Sequence, residues 1–265
     1  MRSVGMIVVL SLALHAAAPA IADEDEARWR ISTSYNYLTG DYGTGDDTEI
    51  MYVPVTLGAK LDRFKLGVTV PYLRQTSQNV VLTGGGVAVK KKQTTTSVKT
   101  TEDGLGDVLL RTSYVVLEEH EERPLLPEVE PYLKIKFPTA DEDRGLGTGE
   151  FDETLGVDLS KEIFERTSAY LTLAYTFVGS PRGADLRDTF SGSIGAAYAL
   201  ARPLSVFAFL DGATAIARGQ DDPLELRVGA EYRLARFLKL TGSGMAGLTD
   251  GSADWGFSAG FALRF

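Results

Sequence analysis

The chain has no cysteine and only two histidines among its 265 residues. Without thiols, neither a disulfide nor a lipid on an N-terminal cysteine is available. A conventional zinc site lacks its ligands for the same reason, so no metal and no other cofactor is expected. Nowhere do about 18 apolar residues follow one another, which excludes a helical membrane span. Basic residues are in the minority, 27 Lys and Arg against 36 Asp and Glu, for a formal net charge of −9. No basic domain exists to neutralise phosphates, and no nucleic-acid partner is expected. Catalytic signatures are weak. The one Gly-x-Ser-x-Gly, Gly256-Phe257-Ser258-Ala259-Gly260, lies inside a strand-period segment rather than at a strand-to-helix elbow, and Gly84-Gly85-Gly86 lacks the spacing of a phosphate loop. The acidic stretches around Asp41, Asp46, Asp47, Asp141, Glu142, Asp143, Asp221 and Asp222 lack the full spacing of a calcium hand.

What is present begins with an export signal. Met1-Arg2-Ser3 is a short basic start, and Met6 to Leu14 is an apolar centre too short to cross a bilayer as a helix. Ala20-Ile21-Ala22 fits the small-x-small cleavage pattern, and the acidic run Asp23-Glu24-Asp25-Glu26 follows at once. Residues 1–22 therefore read as a cleaved signal peptide and residues 23–265 as the exported domain.

The exported part repeats one pattern, alternation with period two. Trp255, Phe257, Ala259, Phe261, Leu263 and Phe265 alternate with Gly256, Ser258, Gly260, Ala262 and Arg264. A strand sends alternate side chains to opposite faces, so such a segment is a two-faced strand. Trp29 to Tyr37, Val108 to Val116, Val129 to Phe137, Ala169 to Phe177 and Leu224 to Arg233 read the same way. The contrast is weaker near Leu204–Thr214. Short connections (61–64, 161–166, 200–203, 234–237, and a longer one at 117–127) alternate with wetter loops (39–47, 75–104, 138–150, 179–188, 216–223, 248–254). The expectation is an all-β protein, a transmembrane antiparallel up-and-down β-barrel of about 12 strands with its longer loops outside the cell.

Alternation alone does not say which face looks inward. A soluble sandwich buries its apolar face, whereas a membrane barrel turns that face to lipid. Lipid is favoured by aromatics near strand ends, Tyr35, Tyr37, Tyr72, Phe137, Phe177 and Trp255 at one level and Trp29, Phe64, Tyr114, Tyr198, Tyr232 and Phe265 at the other. Ionisable residues in mid-strand on the opposite faces suit a wet lumen. The terminal Phe265 resembles the assembly signal of outer-membrane barrels, which implies the barrel assembly machinery as a partner alongside membrane lipid and lipopolysaccharide.

One stretch carries a closer likeness. Gly104-Leu105-Gly106-Asp107 leads into a strand, Pro131 to Phe137 with Pro138-Thr139 ends the next, and Gly145-Leu146-Gly147-Thr148-Gly149 with Phe151-Asp152 opens the one after. This series resembles the family named for a role in the meta-cleavage pathway of phenol degradation. Ala140 stands where that family commonly has glycine. The resemblance implies an outer-membrane barrel of the kind often called a transporter.

The candidate site is the lumen. On the assigned faces it carries the cations Arg30, Lys65, Arg111, Lys134, Lys136, Arg227, Arg233, Lys239 and Arg264. Facing them are Asp107, Glu130, Asp152, Asp158, Glu225 and Glu231, which leaves a mild positive excess. Ions in a narrow lumen are partly desolvated and need partners across strands. The expected function is a narrow outer-membrane channel for small solutes, anionic or aromatic, working by passive diffusion and not as an enzyme. Two rivals stand beside it: a closed structural or interaction barrel, and a barrel lipid hydrolase. The hydrolase needs a histidine, and His120, the one left after signal removal, lies in the acidic turn Glu118-Glu119-His120-Glu121-Glu122.

Overall fold

The structure, a computed structural model, describes residues 7–8, 28–42, 47–77, 80–83, 87–90, 99–120, 125–181, 184 and 186–265. The expected signal peptide lies outside the described residues except for Ile7 and Val8, as do Asp46 and Gly84-Gly85-Gly86.

Twelve antiparallel strands close into one barrel. They are β1 (Trp29–Gly40), β2 (Thr48–Leu61), β3 (Phe64–Ser77), β4, β5 (Glu128–Phe137), β6 (Asp152–Phe164), β7 (Thr167–Val178), β8 (Thr189–Ala201), β9 (Leu204–Ala213), β10 (Leu224–Ala235), β11 (Leu238–Gly247) and β12 (Trp255–Arg264). Strand β4 has two halves, Thr100–Leu105 and Val108–Tyr114, both paired to β3 and interrupted at Gly106 and Asp107. Each strand pairs with the next, and β12 pairs with β1 to close the cylinder. Trp29 and Phe265 exchange backbone hydrogen bonds of 2.9 and 3.0 Å at this seam. Closure leaves no sheet edge, as a chain without helical spans requires in lipid. A separate small sheet joins Ile7–Val8, Val87–Lys90 and Val80–Thr83.

The faces follow the alternation. Leu155, Phe190, Ile194 and Val228 are exposed on the outside of their strands, while Thr154, Thr189, Ser193 and Arg227 line the interior. So much exposed apolar surface faces lipid rather than water. Across the seam, Tyr35, Tyr37, Trp255 and Phe257 stack with ring centroids 5.7 to 6.0 Å apart, adding aromatic contact to the backbone ladder.

Two boundaries differ from the sequence reading. Strand β3 runs on to Ser77 and β4 starts at Thr100, so the long connection is shorter than 75–104. β-Branched threonines favour strand, and the Thr76 and Thr101 hydroxyls meet across the pair at 3.0 Å. Strand β6 continues to Phe164, leaving a two-residue turn at Glu165 and Arg166. Arg166 there and Asp62 in the β2–β3 turn adopt φ of 70° and 56°, the left-handed geometry that matches tight hairpin twist.

Candidate functional site

The barrel encloses a cavity of ≈ 3130 Å³. Its described lining includes residues of the turns, among them Asp62, Arg63, Glu118, His120 and Arg236, but of the loops only Ile216. Among the described residues the cavity therefore stops short of the loops and reaches the barrel rim at the turn end.

The structure places Arg30, Lys65, Arg111, Glu130, Lys134, Lys136, Asp152, Asp158, Glu225, Arg227, Glu231, Arg233 and Arg264 on the cavity wall. Asp107 and Lys239 are buried rather than on the open wall. The described lining holds thirteen basic and twelve acidic side chains, so the positive excess expected from the strand faces all but disappears. It missed the acidic groups near the turns, such as Glu118, Glu128 and Glu165, and Asp211 on the poorly contrasted β9. What remains is segregation. From β10 round to β3, cations stand directly opposite cations across strand pairs: Arg233 and Lys239, Arg264 and Arg30, Lys60 and Lys65. Strands β4 to β6 bring Glu118, Glu128 and Glu162 to the same end.

Further in, ion pairs cross the strands. Lys65 meets Glu130 at 2.5 Å, and the Glu130 carboxylate also accepts from the Ser113 hydroxyl at 2.5 Å. Lys239 meets Glu231 at 2.5 Å, and Arg111 pairs with Asp158. Arg227 donates twice to Asp211, at 3.0 and 3.2 Å. Aromatic rings that the sequence reading did not assign to the lumen complete the wall. The Arg111 guanidinium lies 3.8 Å from the Tyr132 ring centroid, and that of Arg227 lies 4.9 Å from that of Phe209. A side chain at Gly156 would collide with Tyr132, and one at Gly195 with Phe209. These glycines let the rings lie against the wall and keep the lumen open.

At the loop end an apolar cluster fills the barrel. Leu38, Tyr42, Ile50, Tyr52, Leu73, Leu146 and Ala253 are buried together, with Ala140 and Met245 packed on them. Tyr42 reaches it from the β1–β2 loop with φ of 50°, a conformation costly for a bulky residue and held by the packing of its ring. Burial, followed by the nearby Glu225 and Asp254, pushes its phenol up, so it stays neutral. A second cluster joins Ile216 and Ala217 to Val178, Ala184 and Leu186. The cover thus draws on Tyr42, Ala140, Leu146, Ala184, Leu186, Ile216 and Ala253 from five different loops. His120 sits at the opposite end, exposed, with Glu118 at 4.0 Å. Among the described residues no group of three or more His, Cys, Asp or Glu is placed to hold a metal.

Residues 66–265 match the model of the family described as "Putative MetA-pathway of phenol degradation". The chain belongs to this family. No curated protein matches it. Among solved structures it is similar to an outer membrane channel from Pseudomonas putida F1, with a TM-score of 0.73 at 13% identity over 90% of this chain and 96% of that one. It is also similar to the KdgM porin (TM-score 0.53, 11% identity, 88% and 99% covered) and to the CymD monoaromatic hydrocarbon channel (0.51, 9%, 90% and 89%). At these identities the likeness is one of fold, that of outer-membrane channels.

The stretch that carried the resemblance builds the cover. Asp107, fully buried, accepts from the Ala140 amide at 2.9 Å, and the Thr139 hydroxyl accepts from the Val108 amide at 2.9 Å. The Lys136 ammonium, 3% exposed, lies 2.8 Å from Asp152 and 3.6 Å from Asp107 and donates to the Thr148 hydroxyl at 2.9 Å. These bonds clamp both ends of the loop whose Leu146 enters the apolar cluster. A Cβ at Gly147 would stand 2.8 Å from the Ala140 Cβ and 3.0 Å from the Asp107 carboxylate, so only glycine fits beneath the clamp. Lys136 is therefore a clamp residue, whereas Lys134 lines the cavity.

Proposed function

We propose that this protein is a passive outer-membrane channel for small solutes, aromatic or anionic, whose resting form is open to the periplasm and shut at the cell surface. The observation that carries this reading is the cavity of ≈ 3130 Å³, lined by charged, hydroxyl and aromatic side chains, running from the turn end up to the apolar cover inside a transmembrane barrel. A solid barrel serving only as a membrane anchor has no use for such an interior. Solutes cross by diffusion, and wall charges select among them by attraction and repulsion rather than by reaction. The solute for which the CymD channel is named, a monoaromatic hydrocarbon, suits a wall that includes Tyr132, Tyr170, Phe207 and Phe209.

The test is flux. Purified protein in planar bilayers or swelling liposomes passes small solutes once the loop cover is released. A folded barrel that passes nothing after release overturns the channel reading and favours the closed interaction barrel, whose partner would then meet the outer loops.

The same reading assigns residues 1–22 to a signal peptide and Phe265 to recognition by the assembly machinery, with lipid and lipopolysaccharide around the finished barrel. Expressed in a Gram-negative cell, the mature chain should begin at Asp23 and fractionate with the outer membrane. N-terminal sequencing that finds Met1 on the membrane-bound protein would defeat the assignment.

A further inference from the structure

Lys134 on β5 faces the cavity between Tyr132 and Lys136. Among the described residues no carboxylate lies within ion-pair distance of its ammonium. The two nearby acids are engaged elsewhere, Asp152 by Lys136 at 2.8 Å and Asp158 by Arg111, with the Thr172 hydroxyl donating to it at 2.7 Å. A like charge, Arg111, stands directly opposite Lys134 in the β4–β5 register. Like charges placed so are unfavourable, and more so where water is scarce.

Arg111 is arranged to bind something flat. One face of its guanidinium lies on Tyr132 at 3.8 Å, and one of its amino groups donates a hydrogen bond to Asp158. Its side chain remains one-third exposed, at 33%, towards the lumen. A guanidinium face is a good surface for an aromatic ring. On the other side of Lys134, at the same level of the β5–β6 ladder, stands Thr154, whose hydroxyl is 2.9 Å from that of Thr176.

We propose that Lys134 and Arg111 form a binding site for an aromatic carboxylate, with the carboxylate on the Lys134 ammonium and the Thr154 hydroxyl and the ring on the open face of Arg111. This deepens the channel reading and rests on it for its biological sense. On the turn side of the cavity, Arg264 stands opposite Arg30, with Arg233 and Lys60 also on the wall, and these cations attract anions arriving from the turn end. The bound anion relieves the repulsion between Lys134 and Arg111, which gives the pair a reason to exist.

The probe is 4-fluorobenzoate, titrated into the full barrel in detergent and followed by fluorine NMR. Two controls accompany it: 4-fluorobenzyl alcohol, which keeps the ring and loses the charge, and fluoroacetate, which keeps the charge and loses the ring. Lys134→Gln is expected to weaken fluorobenzoate roughly tenfold and to leave the alcohol unchanged, with Lys134→Arg restoring most of the loss. Raising salt weakens fluorobenzoate as the Debye length falls from ~10 Å at 0.1 M to ~3 Å at 1 M. Unchanged fluorobenzoate affinity in folded Lys134→Gln overturns the site, and so does fluoroacetate binding as tightly as fluorobenzoate. The two readings fail separately. Solute flux through a barrel that does not bind fluorobenzoate leaves the channel and removes this site. Binding by a barrel that passes nothing leaves the site and removes the channel.

Discussion

Replacing Lys136 by Met is expected to turn a closed barrel into a conducting one. The ammonium is 3% exposed and holds Asp152 at 2.8 Å, Asp107 at 3.6 Å and the Thr148 hydroxyl at 2.9 Å. Removing it strands two carboxylates in a dry region, and breaking a buried ion pair in this way typically costs about 3–5 kcal/mol. The strands have their own ladders of backbone hydrogen bonds, so the cheapest relief is local. The 138–150 loop lifts, water reaches Asp107, and Leu146 leaves the apolar cluster. Met fills the volume that the lysine stem vacates, which keeps the change electrostatic rather than steric. Single-channel recording should show conductance rising several-fold over wild type, and heat-modifiable gel mobility should show the barrel still folded. A folded, silent variant would mean that the 138–150 loop is not the barrier.

The second large effect lies on the outer face. Leu171 and Leu173 alternate on β7 with Thr172, which lines the cavity and donates to Asp158 at 2.7 Å. An arginine at mid-bilayer on the lipid face costs roughly 2–4 kcal/mol, so Leu171→Arg and Leu173→Arg should each weaken insertion by about that amount. Thr172→Arg points into water and loses one hydrogen bond, a cost of about 1 kcal/mol. Refolding titrations into vesicles compare the three; equal penalties would overturn the assignment of the two faces, and a larger one at Thr172 would reverse it.

β7 also shows why the faces were readable without coordinates. Leu171, Leu173, Tyr175 and Phe177 alternate with Thr172, Ala174 and Thr176, so large apolar side chains share one face and small or hydroxyl ones the other. Where both faces are apolar the contrast vanishes. On β9, Val206, Ala208 and Leu210 go to lipid while Phe207 and Phe209 turn inward, so a lumen aromatic and a lipid aromatic look alike in the chain. The loops were harder still. Nothing periodic marks Tyr42, whose burial depends on Glu225 and Ala253 arriving from strands and loops far away in sequence.

Lys134 and Lys136 mark the boundary most sharply. Same parity on one strand placed both in the lumen, and that much is a local property of extended backbone, true before any partner strand is chosen. Their roles diverge because of height in the barrel. Strand register and closure put Lys136 between Asp107 and Asp152 under the loop cover, and leave Lys134 opposite Arg111 on the open wall. Charge pairing is a contact between distant segments, fixed by register and by the stagger of the closed sheet, and no one-dimensional alternation encodes it. Strand number, faces and the alternation of turns with loops were determined by the sequence alone. Which charges are spent on holding the cover shut, and which face the solute, was decided only when the sheet closed.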